Sequence, residues 1–153
     1  MDVMLINPFI NATLNVLETM AFIKARAGKP YLKNDHMASG DVSGVIGLIG
    51  EVSGTISCSF TEKSILAIVS NMLGEEMKEM NDEIKDAVGE IANMISGQAR
   101  RELEEMGRPL EAAIPTVIMG KNHSITHMTI SPIMAIPFST EHGEFTIEVC
   151  FEE

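Results

Sequence analysis

The sequence predicts an α+β fold in which helices pack on an antiparallel β-sheet. Three segments repeat apolar residues at intervals of three and four, the spacing of an amphipathic helix. Five other segments have the composition or alternation of strands, and two of these are joined by a short turn. The predicted order of elements is therefore α-β-β-α-α-β-β-β.

The first predicted helix covers residues 7–25. Pro8 suits the first helical turn, where its missing N–H is not needed. Apolar residues follow at helical spacing: Ile10, Leu14, Leu17 and Ala21. Gly28 and Pro30 end the pattern.

The next two segments, residues 43–49 and 52–60, predict a hairpin around Gly50 and Glu51. Glycines recur there without the pattern of a phosphate-binding loop, so we expect them to serve hairpin geometry: Gly44, Gly47 and Gly50. A second helix follows, capped by Thr61 and ended by Gly74.

Three further strands are predicted after Pro115, at residues 116–121, 127–138 and 144–151. Pro132 and Pro137 interrupt the middle one, so we expect that strand to be irregular or at a sheet edge. A further short strand is possible near Tyr31.

Length and composition predict one domain spanning residues 1–153, because 45% hydrophobic residues are enough to form a core. Apolar runs such as residues 45–49 are far shorter than the roughly 20 residues of a membrane span. The beginning of the chain lacks the cationic flank of a signal peptide. We therefore expect a cytoplasmic protein.

The chain is acidic, with 22 Asp and Glu against 11 Lys and Arg and a formal net charge of −11. Affinity for nucleic acid depends on clustered cations, so this composition argues against a nucleic-acid partner. It also argues against a free anionic substrate.

The cysteines and histidines predict no metal site. Cys58 and Cys150 each lie in a strand-like segment, and we expect two buried thiols rather than a disulfide. His123 and His127 are four residues apart but lack the nearby acid or cysteine ligands of a zinc site.

The third predicted helix is the longest element, at about residues 82–106, with a cap at Asn81 or Asp82 and an end at Gly107. Its apolar residues fall in one stripe at about 100° per residue: Ile84, Val88, Ile91, Ile95 and Met106. The opposite side carries Asp86, Glu90, Asn93 and Gly97. This second set therefore faces solvent or a partner.

The pattern Asp86-x3-Glu90-x2-Asn93, followed by Pro115, resembles the signature of the CheC/CheX/FliY family of chemotaxis phosphatases. The resemblance is closest to the CheX branch, which has a single copy of the motif. The first helix carries only residues that do not form a second copy: Asn11, Asn15 and Glu18. The resemblance implies a CheC/CheX-like fold and a phosphatase for the aspartyl phosphate of a CheY-like response regulator.

The resemblance also implies a role for each motif residue. Asn93 would be inserted into the regulator's site and position the attacking water, and Glu90 would pair with the regulator's phosphate-site lysine. Asp86 would contribute to partner contact. The chain would have no cofactor of its own, because the Mg²⁺ would be bound by the regulator.

Each of these residues also has a structural explanation. Asn93 could simply be a solvated residue on the helix surface. Glu90 could be an exposed carboxylate that pairs with Arg100. Asp86 could compensate the dipole near the start of the helix. Gly89 and Gly97 predict close approach of a partner's backbone or a tight helix crossing within the protein, since helical glycine costs about 1 kcal/mol.

Two other functions remain open at this point. The same fold could be a non-catalytic adaptor that binds a receiver domain or a flagellar-switch component, or a homodimeric structural module. An intact Asp-Glu-Asn set favours the enzyme. The resemblance to the single-motif branch further implies a homodimer formed through the sheets.

Overall fold

The structure, a computed structural model, describes residues 3–33, 37–126 and 132–152. This part of the chain contains a short 3-10 helix at Val3–Leu5 and three α-helices: α1 (Asn7–Ala21), α2 (Glu62–Leu73) and α3 (Asp82–Glu105). It also contains eight strands: β1 (Arg26–Ala27), β2 (Tyr31–Lys33), β3 (Met37–Gly50), β4 (Gly54–Phe60), β5 (Leu110–Ala112), β6 (Thr116–Thr126), β7 (Ile133–Thr140) and β8 (Gly143–Phe151).

The strands form one antiparallel sheet in the order β1-β7-β8-β4-β3-β5, with β2 also paired to β7 and β6 also paired to β3. The predicted hairpin is confirmed as β3 and β4, in a register that places Gly44 opposite Cys58. β8 lies between β4 and β7. The α+β class and the antiparallel sheet predicted from the sequence are therefore confirmed.

The helices cover one face of the sheet, and the core lies between them. Alternate residues of β8 point into this core: Phe145, Ile147, Val149 and Phe151. The Phe145 ring stacks on Phe138 with 5.0 Å between ring centroids, and Phe9 of α1 reaches Phe151 at 6.2 Å. The contact between Phe9 and Phe151 joins the first helix to the last strand, which lie far apart in the sequence.

The predicted helix ends are confirmed for α2 and α3. Thr61 caps α2 by accepting a hydrogen bond from the Ser64 N–H, and Gly74 ends that helix with φ of 71°. Asn81 caps α3 in the same way through the Ile84 N–H, and Gly107 follows α3 with φ of 81°. Both ends therefore depend on local interactions that sequence alone reveals.

Two expectations about helices were wrong. α1 ends at Ala21, not at residue 25, because Phe22 adopts a left-handed conformation and the Ile23 N–H turns back to the Leu17 carbonyl at 3.1 Å. Met106 is not part of the buried stripe of α3. It is 40% exposed beyond the end of the helix, and Ala99 and Leu103 continue the stripe in its place.

Pro137 lies inside β7, and β7 is not an edge strand, because β8 flanks it on one side and β1 and β2 on the other. The Pro137 carbonyl accepts a hydrogen bond from the Gly28 N–H at 2.7 Å. A strand residue directs its N–H and C=O to the same side, so the N–H that Pro137 lacks would point at the break between β1 and β2. Residues 127–131 of the predicted middle strand, including His127, lie outside the described residues.

The two sides of the sheet end in different kinds of strand. On the β7 side, β1 and β2 are only two and three residues long and are separated by Gly28, Lys29 and Pro30. Short strands with lysine and proline protect an edge from pairing with another chain. On the other side, β6 has eleven residues, and residues 37–40 of β3 extend past β4 to pair with β6.

We predict a two-fold homodimer formed by strand pairing at the β6 side, because β6 offers eleven residues for pairing whereas β1 and β2 offer only two and three. Sedimentation at micromolar concentration tests this prediction. A mass near twice 16.7 kDa is expected, and it should persist in Asn93→Ala if the interface is separate from the motif face. A monomer mass at every concentration would contradict the prediction.

Candidate functional site

The candidate site lies on the outward face of α3. The inward face packs into the core, where Ile84, Val88 and Ile95 are completely buried. A helix that buries one stripe exposes the opposite one. Asp86, Glu90 and Asn93 are accordingly exposed, and Gly89 and Gly97 are half-buried. The structure thus places all five predicted site residues along one side of one helix.

α3 is fixed against the sheet by a glycine in β3. A Cβ atom built on Gly44 would lie 3.2 Å from the Ala92 Cβ and 3.3 Å from the Val88 Cγ1, closer than most real Cβ contacts. The absence of a side chain at Gly44 therefore allows α3 to lie close to the sheet. Gly44 serves helix packing, not the hairpin geometry expected from its spacing.

α1 holds the other side of α3 through polar contacts. The Asn15 side-chain amide donates to Gln98 Oε1 at 2.7 Å, and Asn11 donates to Glu102 Oε1 at 3.4 Å. The asparagines of α1 therefore pair two helices. α3 is held on several sides, which fixes the direction in which its exposed residues project.

A surface groove separates the motif residues from the segment that leads into β6. One wall consists of Lys85, Asp86, Gly89, Glu90 and Asn93, and the other of Ile114, Pro115 and Val117. The sequence analysis singled out Pro115 but missed its neighbours on this wall. An isoleucine directly before that proline was the available signal, but only the fold shows that it faces the motif.

Asp86, Glu90 and Asn93 make no hydrogen bond or ion pair with the described part of the chain. The expected alternative partner of Glu90, Arg100, does not pair with it; the Arg100 Nε is buried without a hydrogen-bond partner. The amide of Asn93 can therefore both donate and accept hydrogen bonds. The carboxylate of Glu90, one turn away, is available to a cation brought by another molecule.

Packing within this protein gives little reason for the two helical glycines of the motif face. A Cβ built on Gly97 would meet no atom within 4 Å, and one built on Gly89 would make an ordinary 3.4 Å contact with the Val117 Cγ2. A tight internal helix crossing therefore does not account for Gly97. Close approach by another molecule stays a prediction for this glycine.

We predict that Gly97→Ala raises the free energy of unfolding by about 1 kcal/mol, because alanine restores helix propensity and enters open space. Denaturant unfolding measures the change. Gly89→Ala is the matched control, and its gain should be smaller because Val117 must accommodate the methyl group. A Gly97→Ala protein no more stable than the parent would show that the glycine has a structural role inside the fold.

The other side chains considered for reactivity, those of His123 and the two cysteines, are hydrogen-bonded or buried. The ring nitrogens of His123 lie 2.9 Å from the Ser43 Oγ and 2.8 Å from the Gly120 carbonyl oxygen. Cys58 and Cys150 are buried thiols that are not joined in a disulfide, as expected, and burial raises the pKa of Cys58 to about 12. That thiol stays protonated and unreactive near neutral pH.

The described residues contain no group of three or more His, Cys, Asp or Glu side chains arranged to hold a metal ion. None of the helices in residues 3–33, 37–126 and 132–152 is long and apolar enough to cross a membrane.

The fold and the exposed Asp-Glu-Asn face define a domain of the CheC/CheX class. A family model described as "Chemotaxis phosphatase CheX" matches residues 42–139, a span that includes the whole motif. The chain therefore belongs to the chemotaxis phosphatase CheX family.

Individual relatives agree over nearly the whole chain. The crystal structure of a chemotaxis protein CheX from Desulfovibrio desulfuricans is 51% identical, with a TM-score of 0.92 and coverage of 97% of this chain and 99% of that chain. The CheY-P phosphatase CheX of Thermotoga maritima is 27% identical over 140 residues, which are 91% of this chain and 89% of the relative.

A third relative was solved with a partner. The CheX-CheY-BeF3-Mg²⁺ complex from Borrelia burgdorferi contains a chain that is 26% identical, with a TM-score of 0.80 and coverage of 97% of both chains.

Proposed function

We propose that this protein accelerates hydrolysis of the aspartyl phosphate on a CheY-like response regulator. The observation that carries the proposal is the pair Glu90 and Asn93, exposed one turn apart and without internal partners on a helix that is firmly packed. Support also comes from the Thermotoga maritima relative, named a CheY-P phosphatase, and from the Borrelia burgdorferi complex with CheY.

In this proposal Asn93 positions the attacking water. An amide cannot act as a base near neutral pH, but its oxygen and nitrogen can hold a water molecule through hydrogen bonds. The water oxygen would form a bond to phosphorus as the bond from phosphorus to the aspartyl oxygen breaks. Phosphoryl transfer asks its catalyst mainly for such positioning and for charge stabilisation.

The charge stabilisation would come from the regulator. The groove carries one cation among its described lining residues, Lys85, and two carboxylates, Asp86 and Glu90. Such a site is poorly suited to bind a phosphate by itself. We propose that the Mg²⁺ is bound by the regulator and that this chain supplies no cofactor. The Borrelia burgdorferi complex, which contains Mg²⁺ together with CheY, supports this proposal.

Glu90 would serve docking, by pairing with a lysine beside the regulator's phosphate site. Asp86, one turn toward the N-terminus of α3, would contribute to the same contact. Gly89 and Gly97 would allow the regulator's backbone to approach α3 closely, which would explain helical glycines with no tight contact inside this protein. All five residues would then belong to one partner-binding face on a single domain of residues 1–153.

We predict that Asn93→Ala slows regulator dephosphorylation at least tenfold, a barrier increase of about 1.4 kcal/mol, because the water loses its positioning group. Loss of phosphate from the phosphorylated regulator measures the rate. Stability should change by only tenths of a kcal/mol, since an exposed helical Asn is replaced by a better helix former.

Asn7→Ala is the matched control, because Asn7 is an exposed asparagine at the start of α1 and takes no part in the contacts that hold α3. It should keep the parent rate. A fully active, folded Asn93→Ala protein would refute the catalytic role. A wild-type protein that binds the phosphorylated regulator without any acceleration would identify an adaptor instead.

We predict that Glu90→Gln weakens binding to the regulator and flattens the dependence of affinity on salt, because an interfacial ion pair steers and orients docking. Titration of a phosphorylated regulator at several ionic strengths provides the measurement. Glu105→Gln, which removes an exposed carboxylate at the far end of α3, is the control and should leave the salt dependence unchanged. Unaltered affinity of Glu90→Gln at every salt concentration would disprove the ion pair.

A further inference from the structure

Ile114 is a large hydrophobic side chain that is 89% exposed. Single exposed apolar residues are common, but this one stands on the wall of the groove that faces Glu90 and Asn93. Pro115 and Val117, the latter in β6, continue the same wall. Ile114, Pro115 and Val117 are called the apolar ledge below.

The backbone on both sides of Ile114 is held in place. The Ala113 N–H donates to the Gly47 carbonyl at 2.9 Å, which ties the segment to β3. The ring of Pro115 restricts Ile114 to extended conformations. β6 begins at Thr116, where it pairs with Val45 of β3. The backbone of the ledge is therefore held in place, and little backbone conformational entropy would be lost when a partner covers it.

We propose that the apolar ledge is a docking anchor for the receiver domain of the phosphorylated regulator and sets its affinity rather than the chemical step. This inference rests on the proposed function. A stable protein interface buries about 800 Å² on each partner, far more than two side chains can supply. A regulator centred on Asn93 must therefore extend across the groove, and the ledge forms its opposite wall.

The character of the two walls supports this division of roles. The α3 wall is polar and carries charges, which suit the positioning of water and ion pairing, whereas Ile114 offers an apolar side chain of the kind that dominates binding energy when it enters a partner's pocket. The fitting partner surface is a receiver domain with an apolar depression beside its phosphoaspartate site. Regulators that lack this depression would be poor substrates.

The test is Ile114→Ala, with two readouts on the same phosphorylated regulator. We expect the half-saturating regulator concentration to rise about tenfold, the ratio that corresponds to about 1.4 kcal/mol, and kcat to stay within about twofold. Affinity for the regulator activated with beryllofluoride and Mg²⁺ should fall by the same factor. Ile114→Val, which keeps a branched apolar side chain, should leave both the half-saturating concentration and the affinity close to those of the wild-type protein.

Leu73→Ala is the matched control, because Leu73 is an exposed leucine at the end of α2 and is 49% exposed. It should change neither readout. Because Ile114 is exposed, its truncation is expected to leave folding intact, and a thermal unfolding curve verifies this.

Three results would overturn the inference: unchanged affinity in Ile114→Ala, a fall in kcat without a change in affinity, or a shift in oligomeric state showing that a second copy of this chain covers the ledge. Failure of the proposed function looks different, since the wild-type protein would then bind the activated regulator without accelerating hydrolysis. In that case the binding readout alone still decides the role of Ile114.

Discussion

The close packing of α3 on β3 is the contact on which the site depends. Ala92 and Val88 occupy the space left by the missing side chain of Gly44, which brings the buried stripe of α3 into the core. Once that stripe is buried, helical geometry fixes the opposite residues toward solvent. The exposure of Asp86, Glu90 and Asn93 is thus a direct result of how a helix meets a sheet.

The rest of the molecule holds this helix rigidly while leaving its outer face without partners. Asn11 and Asn15 of α1 bind polar residues of α3 on one side, and the segment before β6 faces it across the groove on another. Functional groups on a well-packed helix are placed more accurately than groups on a loop. The helix also carries two glycines, and a Cβ atom at Gly97 would meet no other atom within 4 Å, so close packing inside the protein does not require that glycine.

Under the proposed function, the groove supplies one part of an active site and the regulator supplies the rest. An amide and carboxylates can position water and bind a cation, but they do not attract a phosphate by themselves. The acidic composition of the whole chain agrees with this arrangement. A phosphatase of this design would act only when its partner brings the phosphoryl group together with the charges that hold it. Such dependence would confine its action to proteins with a matching surface.

The sequence by itself determined the local features. Helical periodicity located α3 and its two faces, Thr61 and Asn81 marked helix starts, and Gly74 and Gly107 marked helix ends. These features depend on residues within a few positions of each other, so the chain reveals them directly. The motif from Asp86 to Asn93 lies within a single helix, and for the same reason its common face could be predicted.

Only the tertiary structure decided what faces that motif. Ile114 and Val117 are more than twenty residues from Asn93 along the chain, and they meet α3 only because β6 pairs with β3 beneath it. The same cause explains the other differences: Gly44 serves packing because α3 crosses β3 there, and Pro137 is tolerated inside β7 because the strands beside it are interrupted. Contacts between distant segments depend on the whole fold, and no local pattern of residues specifies them.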